Sequence, residues 1–368
     1  MYSQPTISFF FVTSGHSGVD RLLKNLIPEV ASRGYRVDLL KVSGHGPYLV
    51  DTPSNVRIIN LGSSHAYSSL IPLKKYLEKE KPGFLISGKD KVNRVAFWAN
   101  NFSKEKSKQV FRYGTMPSIE IKNRGFFERK IQKFFIKFAY PKVFKVFADS
   151  KGVMDDLSTY MEGKTQNLTV GPSPVIPDSL SNEKFSRPEH PWYQPGEPPV
   201  ILGVGELSGR KDFKTLLKAF SDLRSRRDCR LILLGKGRKK DELSQLSKEL
   251  GIFRDVEFMG FVNNPYPFIY HASALALTSR WEGLGFVLIE AMALGTPVAS
   301  TDCPSGPREI LQEGKLGPLV KVGDWEELGK GLERILASPP SASTLKNAVK
   351  HYSVSQATNK FLAELGLN

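Results

Sequence analysis

The sequence predicts an α/β protein built from two doubly wound, parallel-sheet domains. Three observations carry that expectation. Short apolar runs alternate with amphipathic segments at helical spacing along most of the chain, the pattern of parallel strands joined by crossover helices. The alternation breaks once, at residues 171–199, where eight prolines stand among Ser, Asn and Glu, and then restarts. The length, 368 residues, exceeds what one ordinary core holds.

In the first half, residues 6–12 (TISFFFV), 35–42, 56–61, 83–88, 108–114 and 143–150 read as strands. VDRLLKNLIPEVASRG, ending at Gly34, and KGVMDDLSTYM read as helices. In the second half the strands are expected at 199–207, 229–237, 256–262, 274–279 and 296–302. DFKTLLKAFSDLRSR and DELSQLSKELG read as the helices between them. The expected division is residues 1–175, a linker at 176–198, a second domain at 199–344, and a helical tail at 345–368 that packs back on the first domain.

Composition narrows the class. The apolar fraction is 40% and the charged fraction 24%, as in globular proteins. Two distant cysteines, Cys229 and Cys303, make no disulfide framework and fit a reducing compartment. No apolar run reaches the ~18 residues of a membrane span. Residues 1–12 lack a charged n-region and a cleavage site, so ISFFFV reads as a strand and a cytoplasmic protein is expected. No metal-ligand spacing of His or Cys occurs, and no metal is expected. The net charge of +15 is uneven: residues 1–175 hold 27 Lys and Arg against 14 Asp and Glu, residues 176–368 hold 25 against 23. Such asymmetry points to an anionic partner, whether lipid, nucleic acid or a phosphorylated acceptor, unless it serves solubility alone.

Three loops carry candidate chemistry. Gly15-His16-Ser17-Gly18 joins a strand to a helix and offers backbone N–H groups at a helix start, a geometry that suits phosphate and that any βα turn also needs. Arg210 and Lys211, in Gly205–Asp212 after the first strand of the second half, are adjacent cations that can hold a diphosphate or simply face water. In TSRWEGLGFVLIEAMALG, a helix starting near Phe286 leaves N–H groups from Gly283 to Phe286 toward an anion. Glu290 one turn in can reach ribose hydroxyls, and Glu282 before the turn can accept from a sugar. On spacing alone Glu282 is equally a helix-start residue and Glu290 a solvated helical carboxylate.

The order GELSGRKDFKTLLKAF, RLILLGKG, VEFMGFVNNPY, LTSRWEGLGFVLIEAMALGTPVASTDCPSGPREIL resembles glycosyltransferase family 4, of the group 1 type of retaining GT-B enzymes, and especially bacterial members that build surface polysaccharides such as lipopolysaccharide. The resemblance covers residues 199–323, with Glu282 and Glu290 as the signature pair, and is looser in SGHSGVDRLLKNLIPEVASRGYRVDLL. It implies two Rossmann-like domains facing across a cleft, a first domain for the acceptor and a second for the donor. By the resemblance, Lys211 with its neighbour Arg210 would bind the donor diphosphate, Glu290 the ribose and Glu282 the transferred sugar. Gly283, Leu284, Gly285 and Phe286 would line sugar and phosphate. Val262 would lie by the base near Gly235 and Gly237, and Ser17 and Gly18 would reach the phosphate from the other domain. Two positions depart from the family: Glu206 stands where an Arg is usual, and the first-domain histidine has only Arg112 and Thr115 as stand-ins.

The reading that follows is a retaining hexosyl- or N-acetylhexosaminyltransferase. Its donor is a UDP or GDP sugar, its acceptor a glycan carried on a polyprenyl diphosphate, and no cofactor is implied. No Asp-x-Asp occurs, so cations and a helix N-terminus are expected to stabilise the leaving diphosphate. Lys89, Asn93 and Arg94 in SGKDKVNR, with Arg112, are candidates for the acceptor's phosphate or an ordinary polar loop. Residues 124–147, with seven Lys or Arg and seven Phe, read either as a basic amphipathic helix lying on an anionic membrane or as a core helix. The former would make the protein peripheral on the inner face of the cytoplasmic membrane. Nucleic acid is not the expected partner. The alternatives are a soluble small-molecule glycosyltransferase and a non-catalytic GT-B protein that binds an anionic surface.

Overall fold

The structure is a computed structural model that describes residues 4–15, 17–50, 52–181 and 183–367. It divides into two bodies: residues 1–175 with 352–368, and residues 176–351.

The strands of the first body are β1 (Ile7–Phe10), β2 (Val37–Lys41), β3 (Val56–Asn60), β4 (Phe84–Gly88), β5 (Lys108–Tyr113), β6 (Lys145–Ala148) and β7 (Leu168–Val170). They form one sheet in the order β3-β2-β1-β4-β5-β6-β7, with every pairing parallel. Ile7 sits opposite Val37 on one side and Phe84 on the other, so the order reverses at β1/β4. Helices cover both faces, which explains why β1 and β4 are buried at every position and read as continuous apolar runs. The helices are α1 (Gly18–Ser32), α2 (Leu70–Glu80), α3 (Asp90–Phe102), α4 (Pro117–Lys122), α5 (Phe126–Ala139) and α6 (Lys151–Tyr160).

The second body contains β8 (Val200–Val204), α7 (Phe213–Arg224), β9 (Arg230–Leu234), α8 (Lys240–Glu249), β10 (Val256–Gly260), α9 (Tyr266–His271), β11 (Ala274–Leu277), α10 (Phe286–Leu294), β12 (Val298–Thr301), α11 (Pro307–Ile310), β13 (Leu319–Val320), α12 (Trp325–Ala337) and α13 (Ala342–Val349). Its parallel sheet runs β10-β9-β8-β11-β12-β13, and the order reverses at β8/β11. In such sheets ligands bind beyond the carboxyl ends of the strands at the reversal. α10 is apolar except for Glu290, and every residue from Val287 to Leu294 is buried. Such a helix must be covered all round, and α13 and α9 both pack on it.

Several segments differ from the sequence expectation. The short strands β7 and β13 were not anticipated; three and two residues at a sheet edge leave almost no periodic signal. Residues 124–147 are not one helix. α5 ends at Ala139, Tyr140–Lys142 form a 3-10 turn around Pro141, which has no N–H to continue a helix, and the rest becomes β6. The tail is two helices: α13 belongs to the second body, and from Tyr352 the chain runs in the first body, where it forms α14 (Val354–Glu364). There Phe361 meets the rings of Phe9 and Phe147 at 6.2 and 6.1 Å. Residues 176–198 lie in the second body. Tyr193 is buried, its hydroxyl donating to the Phe268 carbonyl at 3.1 Å, and the Phe185 ring contacts Tyr266 and Tyr270. Among the described residues no helix is long and apolar enough to cross a membrane.

Candidate active site

The loops after β8 and β11, at the reversal of the second sheet, are stitched together by backbone bonds. Arg280 N–H donates to the Arg210 carbonyl at 2.8 Å, and the Thr278 hydroxyl donates to the Lys211 carbonyl at 2.9 Å. Asp212, buried with φ 47°, accepts from Thr215 Oγ1 at 3.0 Å and Arg280 Nε at 3.2 Å. Leu207 anchors the loop from beneath, with its N–H on the Lys236 carbonyl at 3.0 Å. This stitching turns Arg210 and Lys211 toward Glu282. Lys211 Nζ lies 2.6 Å from Glu282 Oε1, and Arg210 Nη1 lies 2.8 Å from Oε2. Ser279 Oγ donates to Oε1 at 2.6 Å.

Glu282 is only 7% exposed. Burial alone would raise its carboxyl pKa, but Lys211, then Arg210, and the bonds from Lys211 and Ser279 hold it below the ordinary value. It is therefore an anion at neutral pH. Burial, with this anion close by, pushes the neighbouring Cys303 thiol up to about 12, leaving it neutral and unreactive.

Gly285, with φ 97°, lets the chain turn from this loop into α10. No side chain caps the helix; the Leu288 N–H bonds the Gly285 carbonyl at 3.0 Å, and the amides ahead of it, with the positive end of the helix dipole, face the place an anion would take. Ser305 Oγ holds the Gly283 carbonyl at 2.7 Å. Phe286 is the first helical residue, Leu284 is buried, and Glu290 follows one turn in at 1% exposure. That excludes the reading of Glu290 as a solvated helical carboxylate. Gly235 and Gly237 have a packing role: a Cβ would stand 1.8 Å from the Gly205 carbonyl oxygen at Gly235 and 2.3 Å from that of Leu207 at Gly237. Gly235 N–H also bonds the Gly260 carbonyl at 2.7 Å, tying the β9 loop to the start of the loop that carries Val262, which is half-buried. Glu206 is exposed.

In the first body, His16 of the Gly15–Gly18 turn lies outside the described residues. Ser17 caps α1 in a reciprocal box with Asp20: Asp20 Oδ2 accepts from Ser17 N at 2.8 Å and Ser17 Oγ at 2.5 Å, while Asp20 Oδ1 pairs with the Thr13 hydroxyl. The Ser17 hydroxyl and amide are thus taken by the protein, a correction to its assignment to phosphate, and Gly18 opens the helix behind it.

Two of the four acceptor candidates, Asn93 and Arg94, are also corrected. α3 begins at Asp90, which turns Asn93 and Arg94 inward. Asn93 is 0% exposed, accepting from Ser87 Oγ at 2.8 Å and bonding Tyr140 Oη at 3.0 Å. Arg94 is buried, paired with Asp90 and with Glu128 at 3.0 Å. Arg112 is held by Asp149 at 2.7 Å, the Pro172 carbonyl at 2.9 Å and Ser173 Oγ at 2.8 Å. Lys89 alone is exposed, its ammonium 3.2 Å from the Val12 carbonyl.

Lys89 and Arg112 line a pocket of about 430 Å³, at the carboxyl ends of β1, β4, β5 and β6. Its wall includes Lys89, Asp90, Arg112, Glu120, Arg124 and Asp149. Asp90 is buried and its Oδ1 accepts no hydrogen bond among the described residues. Burial raises its carboxyl to about 6 against the opposing pull of Arg94. Sequence reasoning missed Asp90, Asp149 and Ser279. The signal available was position: Asp149 directly follows β6, Asp90 comes two residues after β4, and Ser279 stands three residues before Glu282.

Two parallel doubly wound bodies, one with paired cations and two buried glutamates at its carboxyl edge, define the GT-B class of glycosyltransferase. The family model described as glycosyl transferases group 1 matches residues 186–352. The Campylobacter jejuni N-acetylgalactosamine-N,N'-diacetylbacillosaminyl-diphospho-undecaprenol 4-alpha-N-acetylgalactosaminyltransferase is 31% identical over 263 residues, 71% of this chain and 69% of that protein. The chain belongs to the group 1 glycosyl transferases. In fold it resembles the lipopolysaccharide outer core galactosyltransferase WaaB in its apo form, with a TM-score of 0.74 and 19% identity over 98% of this chain and 99% of that one. It also resembles Anabaena HepE in complex with UDP, with a TM-score of 0.76 and 17% identity over 98% and 99%.

Proposed function

We propose that this glycosyltransferase moves a hexose or N-acetylhexosamine, with retention, from a UDP or GDP sugar to a lipid-linked glycan in cell-surface polysaccharide synthesis. The observation that carries the reading is the meeting of Lys211 and Arg210 with Glu282 beside the uncapped start of α10. Two cations and a helix N-terminus converge where a diphosphate leaving group needs its negative charge stabilised. Buried Glu290 is then the group for the ribose hydroxyls, and Glu282 the group for the sugar.

In the proposed reaction the bond from the anomeric carbon to the diphosphate oxygen breaks, and its electron pair leaves with the nucleoside diphosphate. An acceptor hydroxyl forms the new glycosidic bond on the same face. Its proton passes to the departing phosphate, so no protein nucleophile and no cofactor are required. A donor diphosphate would compete with Glu282 for the two cations and so free the carboxylate for the sugar.

The first-body pocket, with the open Oδ1 of Asp90, is the proposed place for acceptor hydroxyls. The name of the Campylobacter relative, which describes a diphospho-undecaprenol-linked acceptor, supports the lipid-linked class. Donor in water and acceptor in lipid would meet at the inner face of the cytoplasmic membrane.

A thermal-shift screen over UDP, GDP and their sugars tests the donor assignment. A ligand at 100 times its Kd stabilises by about 2.7 kcal/mol. The proposal expects one nucleotide class to shift wild type and not Lys211→Ala. Equal shifts in both proteins, or none, would remove the diphosphate role of Lys211.

A further inference from the structure

The first body carries an aromatic face that its fold does not bury. Along α5, Phe127, Ile131, Phe134 and Phe138 recur at i, i+4, i+7 and i+11, one stripe of the helix. Phe127 is 78% and Phe134 65% exposed, and Ile131 is also exposed. The core is served by the opposite face, Gln132, Phe135, Ile136 and Ala139.

α3 extends the stripe. Phe134 stacks on Phe138 at 5.6 Å with an interplanar angle of 8°, Phe138 on Trp98 at 6.4 Å, and Trp98 on Phe102 at 5.6 Å. Trp98 and Phe102 are exposed too. The result is a ladder of four rings across two helices. Cations fringe it: Lys142 sits 3.4 Å over the Phe138 ring, Lys130 sits 4.6 Å over Phe126, and exposed Lys133 and Lys137 follow along the same flank of α5, Lys137 paired with Glu162 at 2.8 Å. The first body as a whole holds 28 Lys and Arg against 15 Asp and Glu.

We infer that this ladder and its lysine fringe form a docking surface for an anionic lipid bilayer. Aromatic rings enter the boundary of headgroups and acyl chains, and the lysines pair with phosphate headgroups at its rim. Charge complementarity selects this occupant: the apolar rings need a nonaqueous partner, and the fringe of Lys130, Lys133 and Lys142 beside the Lys137–Glu162 pair is net cationic. Placement agrees. α3 and α5 both start at the pocket described above, where Asp90 and Arg124 line the wall. Trp98 stands eight residues along α3, about 12 Å away at 1.5 Å per residue. A sugar in the pocket can therefore remain tethered to a lipid under the ladder. That purpose rests on the acceptor reading above; the binding itself does not.

The test is sedimentation of the full chain with phosphatidylglycerol–phosphatidylethanolamine vesicles, with phosphatidylcholine vesicles as the neutral control. The expected result is binding to the anionic vesicles, weakened by salt, and reduced at least about tenfold in Phe126→Ala/Phe127→Ala/Phe134→Ala and in Lys130→Glu/Lys133→Glu. Binding that ignores lipid charge and both variants overturns the inference. So does a dimer in solution that the Phe variant dissolves, since the face would then belong to a second copy. The nucleotide-dependent thermal shift, measured on the same variants, shows that they fold and separates this surface from the donor site: it should be unchanged where vesicle binding is lost.

Discussion

The Lys211 ammonium and the Glu282 carboxylate meet at 2.6 Å, almost out of contact with water, across loops 71 residues apart. Each compensates the other's burial. Removing one partner strands a buried charge, whereas replacing both does not. Lys211→Met should therefore cost roughly 3 kcal/mol of stability, moderated by Arg210, and Lys211→Met/Glu282→Gln should recover part of it. Urea denaturation of the single and double variants measures the coupling. Additive losses would show that the pair is not coupled.

Glu282 and Asp90 give the stability opposite pH dependences. The folded pKa of Glu282 is depressed, so its contribution is present above the unfolded value of about 4.3 and lost as pH falls through the folded one. That of Asp90 is raised to about 6, so its contribution is full below the unfolded value and is lost as pH rises toward 6. Between pH 4 and pH 7 the stability difference between wild type and Asp90→Asn should change by roughly 2–3 kcal/mol, wild type losing ground as pH rises. Urea melts across that range check the sign. A flat difference would contradict the raised carboxyl.

Gly235 allows the Gly205 carbonyl to approach where any Cβ would collide. Gly235→Ala, at φ 143°, must displace the start of the loop that presents Arg210 and Lys211. Stability should fall by about 1–3 kcal/mol, and nucleotide binding should weaken more than in an exposed control such as Gly209→Ala, where a Cβ meets open space. Calorimetric titration with the nucleotide found in the screen provides the comparison.

Phe361, 1% exposed, joins the end of the chain to Phe9 and Phe147. Phe361→Ala should cost about 3–5 kcal/mol. Because the ring belongs to the first body, its melting should shift while the nucleotide-dependent stabilisation persists.

Much of the fold was legible because buried parallel strands leave unbroken apolar runs. β1, β2, β4, β8, β9 and β11 all fall inside the expected segments. The short edge strands β7 and β13 were not legible, since pairing to a neighbour and not their own pattern defines them. The glycine turn before α10 announced the helix start, but burial of Glu290 depends on the packing of α13 and α9, which lie elsewhere in the sequence. The acceptor candidates misled for a related reason. SGKDKVNR reads as a polar loop, yet helix geometry from Asp90 onward folds Asn93 and Arg94 into the core, where Tyr140 and Glu128 await them. The Phe-rich segment was ambiguous because one helix carries both a buried and an exposed aromatic stripe.

The most direct measurement of the central claim is nucleoside diphosphate release from the sugar donor in the presence of membrane lipid extract, comparing wild type with Glu290→Ala. The expected result is acceptor-dependent release by wild type and a loss of roughly 10²-fold or more in the variant. Release at the same background rate in both proteins would contradict a donor site built on Glu290, Glu282 and Lys211.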